Sequence, residues 1–190
     1  MVLFDANTLV ALTSPKTSED DLARLTGLLE ELKKKRDWVG IPTPAMAEYL
    51  IRTDEASAAA LQLFERKQFV RILPFDRKAA IQCSLLHRAA LSSGDKRGAA
   101  NKSAPWQKVK IDWQILAIAL ANNADSIITA DDDLHRMALG RAIQAFKIEE
   151  LQLPESARQV PLHLVPRDGG QIEVNKAAAL PGPAAQAPPP

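Results

Sequence analysis

Cysteine occurs once in these 190 residues, as Cys83, so the chain has no disulfide framework and no thiolate-rich metal site. Among its apolar neighbours Cys83 is expected to be a buried, reduced thiol, which suits a reducing cytoplasm. Histidine is nearly as scarce. His87, His135 and His163 stand without partners at ligand spacing, which removes the common zinc patterns. Charge of one sign is lacking too: the formal net charge is +1, which excludes a polybasic nucleic-acid coat but leaves room for a local basic patch. Long apolar runs are missing. The longest, Ile115 to Ala121, falls far short of the roughly 20 residues a membrane helix needs. The opening Met-Val-Leu-Phe-Asp carries neither a basic region nor a long apolar stretch of the secretory kind. A soluble, cytoplasmic protein without membrane contact is expected. No internal repeat is visible.

What is present is an alternation of short apolar strands with amphipathic helices. At 46% hydrophobic residues the chain can bury one core of ordinary size, which favours one domain plus an appendage. Val2-Leu3-Phe4 reads as a first strand, Asp5-Ala6-Asn7-Thr8 as its exit turn, and Leu9 to Leu12 as helical. Asp5 also suits an ordinary helix cap. From Ser18, acids early, a leucine stripe at Leu22, Leu25, Leu28, Leu29 and Leu32, and Lys33 to Arg36 late describe a second helix. Val39-Gly40-Ile41 is the next strand, closed by Pro42-Thr43-Pro44, where Thr43 suits a cap and Pro44 a first helical position. Glu48 lies one turn further on. Ala56 to Phe69 reads as a helix, Val70 to Phe75 as a strand, and Asp76 as the cap of a helix running through Ile81, Leu85 and Leu86.

The stretch from Lys110 to Leu134 is the most informative. Asp112 is expected at a helix start, Ile115 to Leu120 form an almost wholly apolar body, and Asn122-Asn123 stops it. Ser126 to Thr129 is then a short strand, and Asp131-Asp132-Asp133 follows at its carboxyl end. Leu134 to Ile143 is expected as a short helix and Ala145 to Ile148 as a last strand. Between Ser92 and Lys108 the pattern breaks into a loop rich in Gly, Asn, Ser and Pro, where Lys96, Arg97, Lys102, Lys108 and Lys110 cluster around Trp106. A long basic loop with an aromatic is suited to holding a phosphate backbone and stacking a base.

The ends of the chain differ in kind. Leu162 to Val165 and Gln171 to Val174 flank Arg167-Asp168-Gly169-Gly170 as an edge hairpin signal, and 177–190 is Ala and Pro with nothing to bury. The expected organisation is a domain over 1–150, an extension over 151–176 and a disordered tail over 177–190.

Strands alternating with helices predict an α/β fold: a three-layer α/β/α sandwich around a mainly parallel central sheet. In such sheets ligands bind outside the carboxyl ends of the strands. Asp5, Glu48, Asp112 and Asp131 each follow a strand closely or begin a helix, so convergent strand ends would gather several carboxylates in one cleft. Carboxylates a few ångströms apart either take up protons or recruit hard cations. An all-oxygen donor set without Cys or His favours Mg²⁺ or Mn²⁺. Such ions can activate water and neutralise a phosphodiester during in-line displacement.

Val2-Leu3-Phe4-Asp5-Ala6-Asn7, Pro42-Thr43-Pro44 leading to Glu48, Asp112 opening Ile115 to Ala121, and Ile127-Ile128-Thr129-Ala130-Asp131 together resemble the PIN-domain nucleases. The likeness is to the VapC-type toxins of bacterial toxin–antitoxin pairs in particular. It covers roughly residues 1 to 150. It implies that Asp5, Glu48, Asp112 and Asp131 form an acidic catalytic and metal-binding quartet. Asp133 would be a further acid, and Asn7 and Thr129 would support the quartet. It also implies Mg²⁺- or Mn²⁺-dependent endonucleolytic cleavage of RNA by metal-activated water, a homodimer, and neutralisation by a cognate antitoxin. Lys96, Arg97, Lys102 and Trp106 would contact the RNA. Which of Asp131, Asp132 and Asp133 serve as ligands stays open.

Two rival readings compete. One is a catalytically silent PIN-like module that binds nucleic acid or protein. The other is a haloacid-dehalogenase-like phosphohydrolase, which the opening Val-Leu-Phe-Asp-Ala-Asn-Thr also resembles, although Asn7 occupies the place of the second acid and no glycine precedes Thr8.

Overall fold

In a computed structural model that describes residues 1–158, the strands and helices follow one another as β1 (Val2–Phe4), α1 (Ala6–Thr13), α2 (Glu19–Lys35), β2 (Val39–Pro42), α3 (Thr43–Arg52), α4 (Glu55–Glu65), β3 (Val70–Leu73), α5 (Arg77–Ser92), α6 (Trp106–Ala121), β4 (Ser126–Ile128), α7 (Asp132–Ala138) and β5 (Gln144–Phe146). Two single 3₁₀ turns, Ile148–Glu150 and Glu155–Ala157, follow. Met1–Arg158 pack as one unit. The edge hairpin, the Ala/Pro tail and His163 lie outside the described residues.

The five strands form one parallel sheet in the order β3-β2-β1-β4-β5. With seven helices covering it, this is the expected α/β/α sandwich, and every pairing is parallel rather than most of them. β1 is central, its three residues fully apolar and buried, as a strand covered on both faces requires. The chain leaves β1 toward β2 on one side and returns through β4 on the other, so β1 and β4 flank the point where the strand order reverses. Their carboxyl ends open a crevice there. The register pairs Phe4 with Ile128, which sets Asp5 beside Thr129.

The helix caps follow the local chemistry. Ser18 accepts from Asp21 N–H at 3.1 Å, Asp54 from Ser57 N–H at 2.8 Å and Asp76 from Ala79 N–H at 2.9 Å. α6 is apolar almost all round and is buried accordingly, with Val109, Trp113, Ile115, Leu116, Ile118 and Ala119 in the core.

Several expected boundaries move. α6 begins at Trp106, not at Asp112, because the first six residues extend the helix from Pro105 while Trp106 and Val109 pack inward. Asp112 is therefore in the second turn. α4 ends at Glu65, after which Phe69 turns edge-on against Phe64, with ring centroids 6.5 Å apart, and leads into β3. Thr43 does not cap α3; its Oγ1 accepts from Phe75 N–H at 3.2 Å. β3 stops at Leu73, since Pro74 has no N–H to continue the ladder. α7 ends at Ala138, before Gly140 at φ +75°, and β5 starts one residue early and ends at Phe146.

Candidate active site

β1 delivers Asp5 into the crevice as the N-cap of α1. Its Oδ1 accepts from Ala6 N–H at 2.7 Å and its Oδ2 from the Thr129 hydroxyl at 2.8 Å. Thr129 Oγ1 also accepts from Asp131 N–H at 3.0 Å, so one buried hydroxyl ties the ends of β1 and β4 together. Thr8 adds a second tie, donating to Ile128 C=O at 2.7 Å. Asp5 is only 4% exposed, and that burial is the main force pushing its carboxyl up to about 6. Its two hydrogen bonds oppose the shift, while the charges of Glu48 and Asp131 add to it.

Asp112 comes from α6 and is 5% exposed. Burial again dominates. Lys108 opposes it, Asp131 and Asp5 reinforce it, and the carboxyl is pushed up to about 7. Asp131 caps α7, its Oδ1 accepting from Asp133 N–H at 2.8 Å. Asp133 is also buried, which works against its charge. Asn101 N–H at 2.7 Å, Lys108 and Arg136 overcome that effect and hold its carboxyl below the usual range. Glu48 projects from α3 and pairs with Arg52 at 2.9 Å.

Asp5, Asn7, Glu48, Asp112 and Asp131 line one cavity of about 820 Å³, together with Lys108 and Ile51. The three adjacent acids part company here. Asp131 faces the cavity and Asp133 lies beside it on Lys108, whereas Asp132 turns outward to Lys147 at 2.8 Å.

The donor set has the chemistry of a hard divalent site: carboxylate oxygens only, with burial pushing the Asp5 and Asp112 carboxyls up to about 6 and about 7. The positions are less complete. Among the described residues no three Asp, Glu, His or Cys side chains stand ready to ligate one ion. Glu48 must leave Arg52 to join Asp5 and Asp112, and the pair it gives up is an exposed i, i+4 contact worth about 0.5 kcal/mol.

The basic segment is not an independent loop. Asn101 docks on Asp133, and the Arg136 guanidinium reaches Ala99 C=O at 3.3 Å, so the segment is fastened to the acid cluster. Lys96, Arg97 and Lys102 line a separate hollow of about 520 Å³ with Leu91, Gly94 and Asp95. Lys96 Nζ lies 5.5 Å and the Arg97 guanidinium 5.9 Å from the centre of the Trp106 ring. Trp106 itself belongs to α6, is half-buried, and has its ring 6.1 Å from that of His87. The Arg97 guanidinium is partly committed, donating to Ala104 C=O.

Lys108 was not singled out as a site residue by its sequence setting, yet it is the centre of the acid cluster. Its Nζ lies 3.1 Å from Asp112 Oδ2, 2.8 Å from Asp131 Oδ2 and 3.1 Å from Asp133 Oδ2. The available signal was the i, i+4 spacing to Asp112, legible only once the helix is known to begin at Trp106.

The PIN domain family profile matches residues 2–139. A comparison with curated protein sequences gives no significant match. Among solved structures, VapBC2 from Rickettsia felis bound to a DNA fragment from the promoter is similar at 16% identity, covering 77% of this chain and 98% of that chain with a TM-score of 0.53. DNA-bound VapBC from Salmonella typhimurium is 17% identical over 77% and 97% of the two chains, with a TM-score of 0.49. At such identity the first of these likenesses speaks for the fold. The family profile spans most of the chain, and the chain belongs to the PIN-domain family.

Proposed function

We propose that the protein is a divalent-metal-dependent endoribonuclease, acting in the cytoplasm as the toxin of a toxin–antitoxin pair. The observation that carries this reading is the convergence of Asp5, Glu48, Asp112 and Asp131 on one cavity at the carboxyl ends of β1 and β4. Asp5, Glu48 and Asp112, with Asp131 beside them, would hold Mg²⁺ or Mn²⁺. When bound, the ion supplies Lewis acidity toward water and the phosphodiester.

The chain's own residues do the positioning. Ala6 N–H and Thr129 fix both oxygens of Asp5, so this acid enters the cavity in one orientation. Asn7 lines the cavity two residues on and offers both a donor and an acceptor to a substrate. Lys108 brings a positive charge to the place where the phosphodiester would lie. Lys96, Arg97 and Lys102 around Trp106 would take the flanking RNA backbone, as basic side chains beside an aromatic do for single strands.

A cognate antitoxin and a homodimer belong to the same reading, which draws on the likeness to the Rickettsia felis VapBC2 structure. Ile51, 84% exposed on the cavity wall, and neighbouring Leu50 on α3 give a partner an apolar foothold beside the acids. Family membership and the Asn7 position remove the haloacid-dehalogenase alternative. A silent PIN-like binding module is the second reading, favoured by the fact that among the described residues no three acids stand ready to ligate one ion.

The test is cleavage of end-labelled RNA with Mn²⁺ by the wild type, by the wild type with EDTA, and by Asp112→Asn. Cutting by the first alone supports the nuclease. Intact structured and unstructured RNAs in all three, with no Mn²⁺-dependent rise in melting temperature, would leave the binding module.

A further inference from the structure

The position of Lys108 is more specific than a general counter-charge. An ammonium has three N–H donors and no acceptor, and here three carboxylate oxygens surround it at 3.1, 2.8 and 3.1 Å. They come from three places in the chain: the same helix one turn on, the turn after β4, and the first turn of α7. Asp112, Asp131 and Asp133 thus point one oxygen each at a single spot that a positive charge already fills. The other side of the cavity is different. Asp5 receives only a backbone N–H and a hydroxyl, both neutral donors, and Glu48 meets Arg52 out at the rim.

A second ion beside Asp112, Asp131 and Asp133 would have to displace the ammonium from the three oxygens it holds.

We propose that Lys108 is the built-in second cation of this site: its ammonium fills the position between Asp112, Asp131 and Asp133. The site therefore takes one divalent ion, on the side of Asp5 and Glu48, and Lys108 supplies the other positive charge toward the phosphodiester. This rests on the metal-dependent reading above and goes beyond it, fixing the number of ions and the role of one side chain. A lysine holds its charge without exchange, so the Asp131 side of the site stays assembled whatever the ion concentration.

The experiment is calorimetric titration of the full chain with MnCl₂ at about pH 8, where the carboxylates are ionised, with free Mn²⁺ counted in parallel by electron paramagnetic resonance. Wild type, Lys108→Arg and Lys108→Met are compared. One ion per chain is expected for wild type and Lys108→Arg, and two for Lys108→Met, whose apolar tip vacates the three oxygens. Two ions in the wild type overturn the proposal, and that measurement stands even if Lys108→Met does not fold. A single ion in a folded Lys108→Met overturns it as well, and so does a wild type that binds none while Lys108→Met binds one. If none of the three proteins binds Mn²⁺, the metal-dependent reading itself fails, an outcome distinct from the others.

Discussion

Replacing Thr129 by valine removes one oxygen from the interior at almost constant volume and tests how the crevice is tied together. Thr129 is fully buried; its hydroxyl donates to Asp5 Oδ2 at 2.8 Å and accepts from Asp131 N–H at 3.0 Å. Where Asp5 is ionised, losing a hydrogen bond to a buried charge and orphaning the Asp131 N–H should together cost roughly 2–3 kcal/mol. Where Asp5 is protonated the lost bond is between neutral groups, and the cost should be smaller by about 1 kcal/mol, the orphaned Asp131 N–H being common to both states. The sign follows from the carboxyl's position. Asp5 sits at about 6 in the fold against 3.8 unfolded, so between those values the native state holds the extra proton and stability falls as pH rises. Valine removes a bond that pulls the Asp5 carboxyl down, so the folded value rises further and the fall continues to higher pH. Urea unfolding of EDTA-treated wild type and Thr129→Val, followed by circular dichroism at about pH 4.5 and about pH 8, reads the difference through the linkage relation. An equal loss at the two pH values, or a loss under about 0.5 kcal/mol at the higher one, would refute the reasoning.

Other consequences can be checked with the same protein. Asp5 at about 6 and Asp112 at about 7 both hold protons that the unfolded chain has lost, so metal-free protein should lose stability steadily as pH rises from about 4 to about 7; a flat melting temperature across that range would contradict it. Mn²⁺ at about 100 times its dissociation constant should return about 2.7 kcal/mol, read as a higher melting midpoint, and Asp112→Asn should abolish most of that gain. Lys96→Ala with Lys102→Ala should flatten the salt dependence of RNA binding by about 0.7 in log–log slope for each cation lost, measured by fluorescence anisotropy. Gly40→Ala should destabilise the sheet by about 1–3 kcal/mol in urea unfolding, because a Cβ there would meet Leu73 Cδ1 at 2.6 Å and Leu3 Cδ1 at 3.2 Å.

The sheet was legible because its signals are local. Three short apolar runs, Val2 to Phe4, Val39 to Ile41 and Ser126 to Thr129, are each too short for a helix and each end in a polar turn or a proline, so alternation with leucine-striped segments left a parallel α/β sandwich as the natural arrangement. Caps such as Ser18 and Asp76 were legible for the same reason, since the side chain and the N–H it serves lie three residues apart. Errors gathered where a boundary depends on distant packing. Trp106 begins α6 because its ring and Val109 find partners in the core, among them His87 on α5, and nothing in Pro-Trp-Gln-Lys-Val announces that partner. Thr43 leaves its cap position because Phe75, thirty-two residues away, offers an N–H.

Misplacing that one boundary hid the most consequential residue of the site. With Asp112 at a helix start, Lys108 belongs to a basic loop and its charge counts toward a diffuse patch. With the helix starting at Trp106, Lys108 and Asp112 share a face one turn apart, and Lys108 is carried into the acids. The identities of the acids were readable because strand ends are readable. Their compensation was not, since Lys108, Arg136 and Asn101 meet Asp133 only through the fold. Electrostatics makes this division general: an acid's position follows from its own element, but its charge state follows from whatever the other elements bring to it. In this chain the partner brought to Asp131 and Asp133 is an ammonium, whereas the donors that meet Asp5 are a backbone N–H and a hydroxyl, both neutral.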